Sequence, residues 1–108
     1  MASSQSTVDF ILDQMGGAPV LSYKKMFGEY ALYREDKLIA LVCDDQLFVK
    51  PTEPGRAYLG TPDEAPPYPG AKNSFRIGGE RWDDGAWMAE LARLTARALP
   101  PPKPKKKK

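Results

Sequence analysis

The side chains with the most chemistry to offer gather in the first half of the chain. Tyr23, Lys24 and Lys25 stand together before Met26, and Asp44, Asp45 and Lys50 follow. A lysine whose pKa is lowered is a nucleophile, and two adjacent carboxylates are the start of a divalent-cation site. Each group also has a plainer reading. Asp44-Asp45 falls between two apolar runs, where Asp is favoured because it bonds to nearby backbone and tolerates turn conformations. The turn is the preferred reading. Cys43, the one cysteine, ends an apolar run. Burial there raises the pKa of a thiol, and the chain has no His to activate it, so Cys43 reads as a small core residue. Ser22 and Ser74 have no recognisable base, and Ser3, Ser4 and Ser6 belong to the chain start or a helix cap.

The absence of His removes Ser-His-Asp and Cys-His triads, His general bases and most zinc sites. One thiol permits no internal disulfide and no thiolate cluster. The expectation is a protein that is not an enzyme, with no catalytic residue, metal ligand or cofactor. An alternative is a small-molecule binder or enzyme using Lys24, Lys25, Lys50 or Lys72 beside aromatic rings, which requires a pocket at those lysines.

A chain of 108 residues with 42% hydrophobic side chains has the length and composition of one folded domain. Its net charge of +2 is unevenly spread. The stretch 100–108 reads PPPKPKKKK; setting its five lysines apart leaves 11 basic against 14 acidic side chains, a mildly acidic body. We therefore expect a domain over 1–99 and a disordered tail over 100–108. Lys103, Lys105, Lys106, Lys107 and Lys108 form an extended cationic string that would contact phosphate backbones nonspecifically, or simply aid solubility. The start has no basic segment and its apolar residues are interrupted by Asp9, Asp13 and Gln14, so it does not read as a signal peptide. The longest apolar run, Leu38 to Cys43, is far short of the ~20 residues that cross a bilayer. A cytoplasmic protein with no membrane partner is expected.

The elements that would position these groups follow from periodicity. Val8, Ile11, Leu12 and Met15 share one face of a short helix, with Ser6 as N-cap and Gly16-Gly17 as stop. Ser22 to Tyr33, Leu38 to Cys43 and Leu47 to Lys50 read as three strands of an antiparallel meander, with a bend at Gly28. LIALVC, apolar on both faces, is the expected central strand. From Pro51 to Gly70, six prolines loosen the pattern, with one helical turn at Arg56 to Leu59. Ser74 to Ile77 and Glu80 to Trp82 read as a second hairpin across Gly78-Gly79. A last helix, capped by Asp83 or Asp84, carries a stripe of Trp87, Leu91, Leu94 and Ala98, widened by Met88 and Thr95, and stops at Pro100. Trp82 and Trp87 are expected to pin this helix to the sheet. The order indicates an α+β fold, an antiparallel sheet of five strands with helices packed on it.

Two stretches carry a family resemblance. KKMFGEYALYREDKLIALVCDDQLFVKP resembles the core of the N-terminal domain of the TfoX/Sxy competence regulators, in its Met-Phe-Gly-x-Tyr and Asp-Asp-x-Leu-Phe-x-Lys elements. PPYPGAKNSFRI is similar to the Tyr-Pro-Gly-Ala-Lys segment of stand-alone members. The likeness spans about residues 7 to 99. It implies an α-β(3)-α-β(2)-α order similar to type III secretion chaperones and YjbR-like proteins. For activity it implies a noncatalytic regulatory or protein-interaction role. Full-length members act as coactivators with the cyclic-AMP receptor protein and carry a further C-terminal domain. The associations it implies are a protein partner, with transcription machinery as the family's example, and a homodimer. In the motif segments Gly28 would let the Phe27 and Tyr30 rings diverge, and Tyr68-Pro69-Gly70 would aim Lys72 at the next strand. Met26, Phe27, Tyr30, Tyr68 and Lys72 are thus the candidate partner surface.

Overall fold

A computed structural model describes residues 4–17, 20–26 and 29–99, and only the backbone of Met26. The bend at Gly28, the Phe27 ring, the Met26 side chain, the stop at Pro100 and the tail lysines Lys103 and Lys105 to Lys108 lie outside the described residues.

Helix α1 spans Gln5–Met15 and buries Val8, Ile11 and Met15. Its cap is Ser4, whose extended backbone leaves the hydroxyl free to accept from the Thr7 N–H at 3.3 Å. The expected cap, Ser6, is already helical. The glycine stop holds: Gly17 N–H donates to the Leu12 carbonyl at 2.8 Å, and Gly16 takes a φ of 130° that a side chain would resist.

The run expected as one bent strand is two. Strands β1 (Leu21–Met26) and β2 (Glu29–Arg34) pair antiparallel from Leu21↔Arg34 to Met26↔Glu29. Strands β3 (Lys37–Cys43) and β4 (Gln46–Val49) continue the meander. The two joins whose conformation is described are reversed by Glu35-Asp36 and Asp44-Asp45, all four at positive φ. This is the primed turn that matches strand twist, so the turn reading of the aspartates is correct. Between β2 and β3 the register slips at Leu32/Tyr33, which face Ala40 and Leu38. Ile39 is the extra residue, and the resulting bulge lets both Ile39 and Ala40 be buried.

Helix α2 covers Glu53–Leu59, longer than the single turn expected. Pro54 and Gly55 sit in its first turn, where a missing N–H costs nothing, and the Thr52 hydroxyl caps it by accepting from Gly55 N–H at 3.0 Å. Strand β5 (Asp63–Ala65) follows, then a turn closed by Ala71 N–H to the Tyr68 carbonyl at 3.1 Å, with Gly70 at φ 88°. That is the type II geometry its Pro-Gly pair favours.

Strand β6 (Ser74–Ile77) does not form a hairpin with 80–82. It lies between β4 and β5, and the chain turns through a 3-10 segment at Gly79–Arg81. The Trp82 indole N–H donates to the Ile77 carbonyl at 3.1 Å, which folds the segment back on the strand end instead of extending it. The sheet thus has six strands in the order β1-β2-β3-β4-β6-β5, and the α+β class stands with one strand more than expected.

Helix α3 (Gly85–Ala98) is capped by Asp84, whose carboxylate accepts from Trp87 N–H. Met88, Leu91 and Thr95 are buried as expected and Ala92 and Ala96 join them, whereas Trp87 and Leu94 are half-buried and Ala98 is exposed. Small alanines let α3 approach α1 and the sheet closely, which bulk-weighted periodicity does not register. The helices share one face: α1 and α3 cover Tyr30, Leu32 and Val42, and α2 rests Gly55 against the Phe75 ring. No helix among the described residues is long and apolar enough to cross a membrane.

Candidate functional site

The structure separates the residues expected to form one partner surface. Tyr30 lies on β2, whereas Tyr68 and Lys72 lie in the β5–β6 connection at the far side of the sheet. Tyr30 is also only 3% exposed, with its hydroxyl donating to Gln5 Oε1 at 3.2 Å. Tyr68 is 55% exposed and Lys72 is exposed, so the Pro-Gly turn presents them to solvent by themselves. Lys24, Lys25 and Lys50 are exposed as well.

Cys43 is buried, as expected, and its pKa is pushed up to about 11 by burial first, then by the Glu29 and Asp44 carboxylates. Both effects keep the thiolate fraction below that of an ordinary cysteine. Asp45 has a structural use: its carboxylate accepts from Ser4 N–H at 2.9 Å and ties the start of α1 to the β3–β4 turn.

A cleft of about 500 Å³ opens elsewhere, where the end of β6 meets the start of α3. It is assembled from Asp45 and Gln46 at the β3–β4 turn, Leu59 at the end of α2, Thr61 to Asp63, the strand end at Arg76-Ile77, the 3-10 turn with Trp82, and Trp87. No lysine lines it, so the enzyme reading that needs a pocket beside Lys24, Lys25, Lys50 or Lys72 finds no support in this cleft.

Its side chains are held by one another. The Arg81 guanidinium lies over the Trp87 ring, 4.6 Å from the centroid. Tyr58 stacks on Trp87 with centroids 5.5 Å apart and planes 24° apart, and its hydroxyl donates to the Trp87 carbonyl at 3.3 Å. Burial, then the Glu90 and Asp84 carboxylates, hold the Tyr58 phenol above its ordinary pKa, against the pull of Arg81. Arg76 is oriented by Asp63 across the β5–β6 pair, Nε to Oδ2 at 2.8 Å. The cleft thus presents indole and guanidinium groups with carboxylates among them, and Tyr58, which does not line it, supports Trp87. Among the described residues, no group of three or more His, Cys, Asp or Glu is placed to hold a metal ion.

Comparison with known proteins agrees with this architecture. The family model of the TfoX N-terminal domain matches residues 13–99. The chain belongs to the TfoX N-terminal domain family. A protein of Spirochaeta aurantia, described as an uncharacterized 12.7 kDa protein in the trpE 5′ region, is 39% identical over 108 residues, covering 100% of this chain and 93% of that protein. In this TfoX N-terminal domain, the residues that build the cleft are only partly visible in the sequence. Trp82 and Trp87 are expected as anchors of the last helix, and both do pack on the core. Their spacing around a helix start is the available signal. Arg76 and Arg81 give none, because their neighbours in the cleft come from distant segments.

Proposed function

We propose that the protein is a noncatalytic protein-interaction domain in a regulatory system of the cytoplasm, and that the cleft at the end of β6 is its contact surface. The observation that carries this reading is the Arg81–Trp87 pair beside Trp82 in the cleft, with Tyr58 stacked on Trp87 as its support. Trp, Tyr and Arg dominate the energetics of protein interfaces, most of all where their rotamers are fixed before binding. Here the hydroxyl of Tyr58 and the indole N–H of Trp82 are bound to backbone carbonyls, so little side-chain freedom remains to be lost. The family resemblance, with its transcriptional coactivators, supports a regulatory role.

The test is photo-crosslinking in intact cells from position 80, at the cleft, and from position 13, on the exposed side of α1. A discrete adduct from position 80 that disappears with Arg81→Glu supports the proposal. Identical adducts from both positions, unaffected by Arg81→Glu, would sink it.

A second reading is favoured by the size of the cleft, which falls in the range of small-molecule sites, roughly 300–1,000 Å³. A thermal-shift screen of metabolites distinguishes it: a ligand that raises the midpoint of wild type but not of Arg81→Glu places a small molecule in the cleft.

A further inference from the structure

The first strand has one side to spare. Among the described residues β1 is an edge of the sheet. Glu35 N–H donates to the Val20 carbonyl, which fixes which backbone groups face β2. Val20, Ser22, Lys24 and Met26 bond inward, so the N–H and C=O of Tyr23 and Lys25 point away from the sheet. Leu21 N–H shows the same outward direction, since it donates to the Gly17 carbonyl at 3.0 Å. Beyond it, the outward groups of Tyr23 and Lys25 have no backbone partner among the described residues. The side chains along this edge are exposed from Ser22 to Lys25, and Tyr23 keeps 41% of its surface.

We propose that β1 accepts an extended acidic peptide segment of a partner protein as an added antiparallel strand. Outward backbone groups supply the ladder, and Lys24 and Lys25, on opposite faces of the strand, supply the charge preference. The acids belong opposite these two lysines, and an apolar residue belongs opposite Tyr23, whose ring already leans on Tyr30 at 5.6 Å.

The same charges argue against a second copy as occupant. Two β1 edges pairing with each other would bring four lysines together, the arrangement that edge strands use to prevent self-association. The opposite edge, β5, is only three residues long, and its acids are engaged by Arg76 and Arg56. This surface is separate from the cleft and does not depend on the function proposed for it.

The experiment uses the full chain and the blocked hexapeptide Thr-Glu-Glu-Val-Thr-Val, fluorescently labelled, by anisotropy at low salt. Three controls accompany it: the peptide with Lys for Glu, the peptide N-methylated on both valines, and the Tyr23→Pro protein. Tyr23→Pro removes an outward N–H and leaves the β1–β2 ladder intact, which a thermal melt verifies. Saturable binding of the acidic peptide, lost with Tyr23→Pro and with N-methylation, is the expected result. The double variant Lys24→Glu/Lys25→Glu, whose ladder is untouched, weakens it about tenfold. No binding, equal binding of the Lys peptide, or binding indifferent to N-methylation overturns the proposal. So does a wild-type dimer in sedimentation that Tyr23→Pro converts to monomer, which would assign the edge to a second copy.

Discussion

Lys37, at the start of β3, donates from Nζ to the backbone carbonyl of Ala96, near the end of α3, at 2.8 Å. The contact joins residues 59 positions apart in the chain. It places a cation where the helix dipole is negative and fills one of the carbonyls that a helix end leaves without an internal partner.

Lys37→Met keeps the aliphatic stem and removes the donor. We expect a loss of about 1–2 kcal/mol, from a charged hydrogen bond and a dipole contribution that are both partly solvent-screened. Urea denaturation of the two proteins measures it directly. The gap narrows in 1 M salt, because the dipole contribution is screened; equal midpoints at low salt would show that the bond does not contribute.

The pH dependence of stability carries a signature of Cys43. Its folded pKa lies at about 11 against 9.0 for the free thiol. Between these values the unfolded chain gives up the proton while the folded chain keeps it. Stability is therefore complete below pH 9 and declines as pH rises toward 11, with a limiting slope of about 1.4 kcal/mol per unit from this group. Tyr58, also raised, contributes in the same direction. Cys43→Ala isolates the thiol: its stability falls less steeply than that of wild type from pH 9 to 11 in guanidinium titrations. Parallel curves would mean the thiol is not desolvated in the native state. At pH 8, a disulfide reagent should label Cys43 only on unfolding.

Some parts of this molecule are legible in its sequence and others are not, for identifiable reasons. Asp44-Asp45 and Glu35-Asp36 announce their turns, because positive φ in a two-residue loop depends on local residue type. Gly16-Gly17 is local in the same way. The β1–β2 hairpin reads as one strand because apolar and β-forming residues continue on both sides of Phe27-Gly28. In α3 Met88, Leu91 and Thr95 are legible, but the stripe's edge is misplaced because Trp87 and Leu94 outweigh Ala92 and Ala96 by bulk, whereas close packing needs the alanines. The cleft is least accessible. Asp63 and Arg76 meet only because β5 takes the edge beside β6, and β5 lies in a proline-rich stretch that argues for irregular chain. The lysines near Tyr23 stand out in sequence, yet their context is an edge and not a pocket.

Gly55 gives the last test, in which two ordinary expectations oppose each other. It sits inside α2, where replacing Gly by Ala gains roughly 1 kcal/mol of helix propensity. Its backbone conformation is no obstacle, as its φ is not positive. The obstacle is space: an added Cβ would stand 2.7 Å from Thr52 Oγ1 and 3.5 Å from the Phe75 ring. Thr52 Oγ1 is the acceptor that caps the helix through Gly55 N–H, so it cannot retreat without losing that bond. The 3.5 Å approach to Phe75 is ordinary van der Waals contact, so the conflict is with Thr52 alone. A lost cap costs about 1 kcal/mol. Gly55→Ala should therefore leave stability nearly unchanged, because the lost cap offsets the better propensity. In the Thr52→Gly background, where the hydroxyl is absent, the same change should stabilise by about 1 kcal/mol. If Gly55→Ala stabilises the wild-type chain by that full amount, the Thr52 cap does not restrict the position.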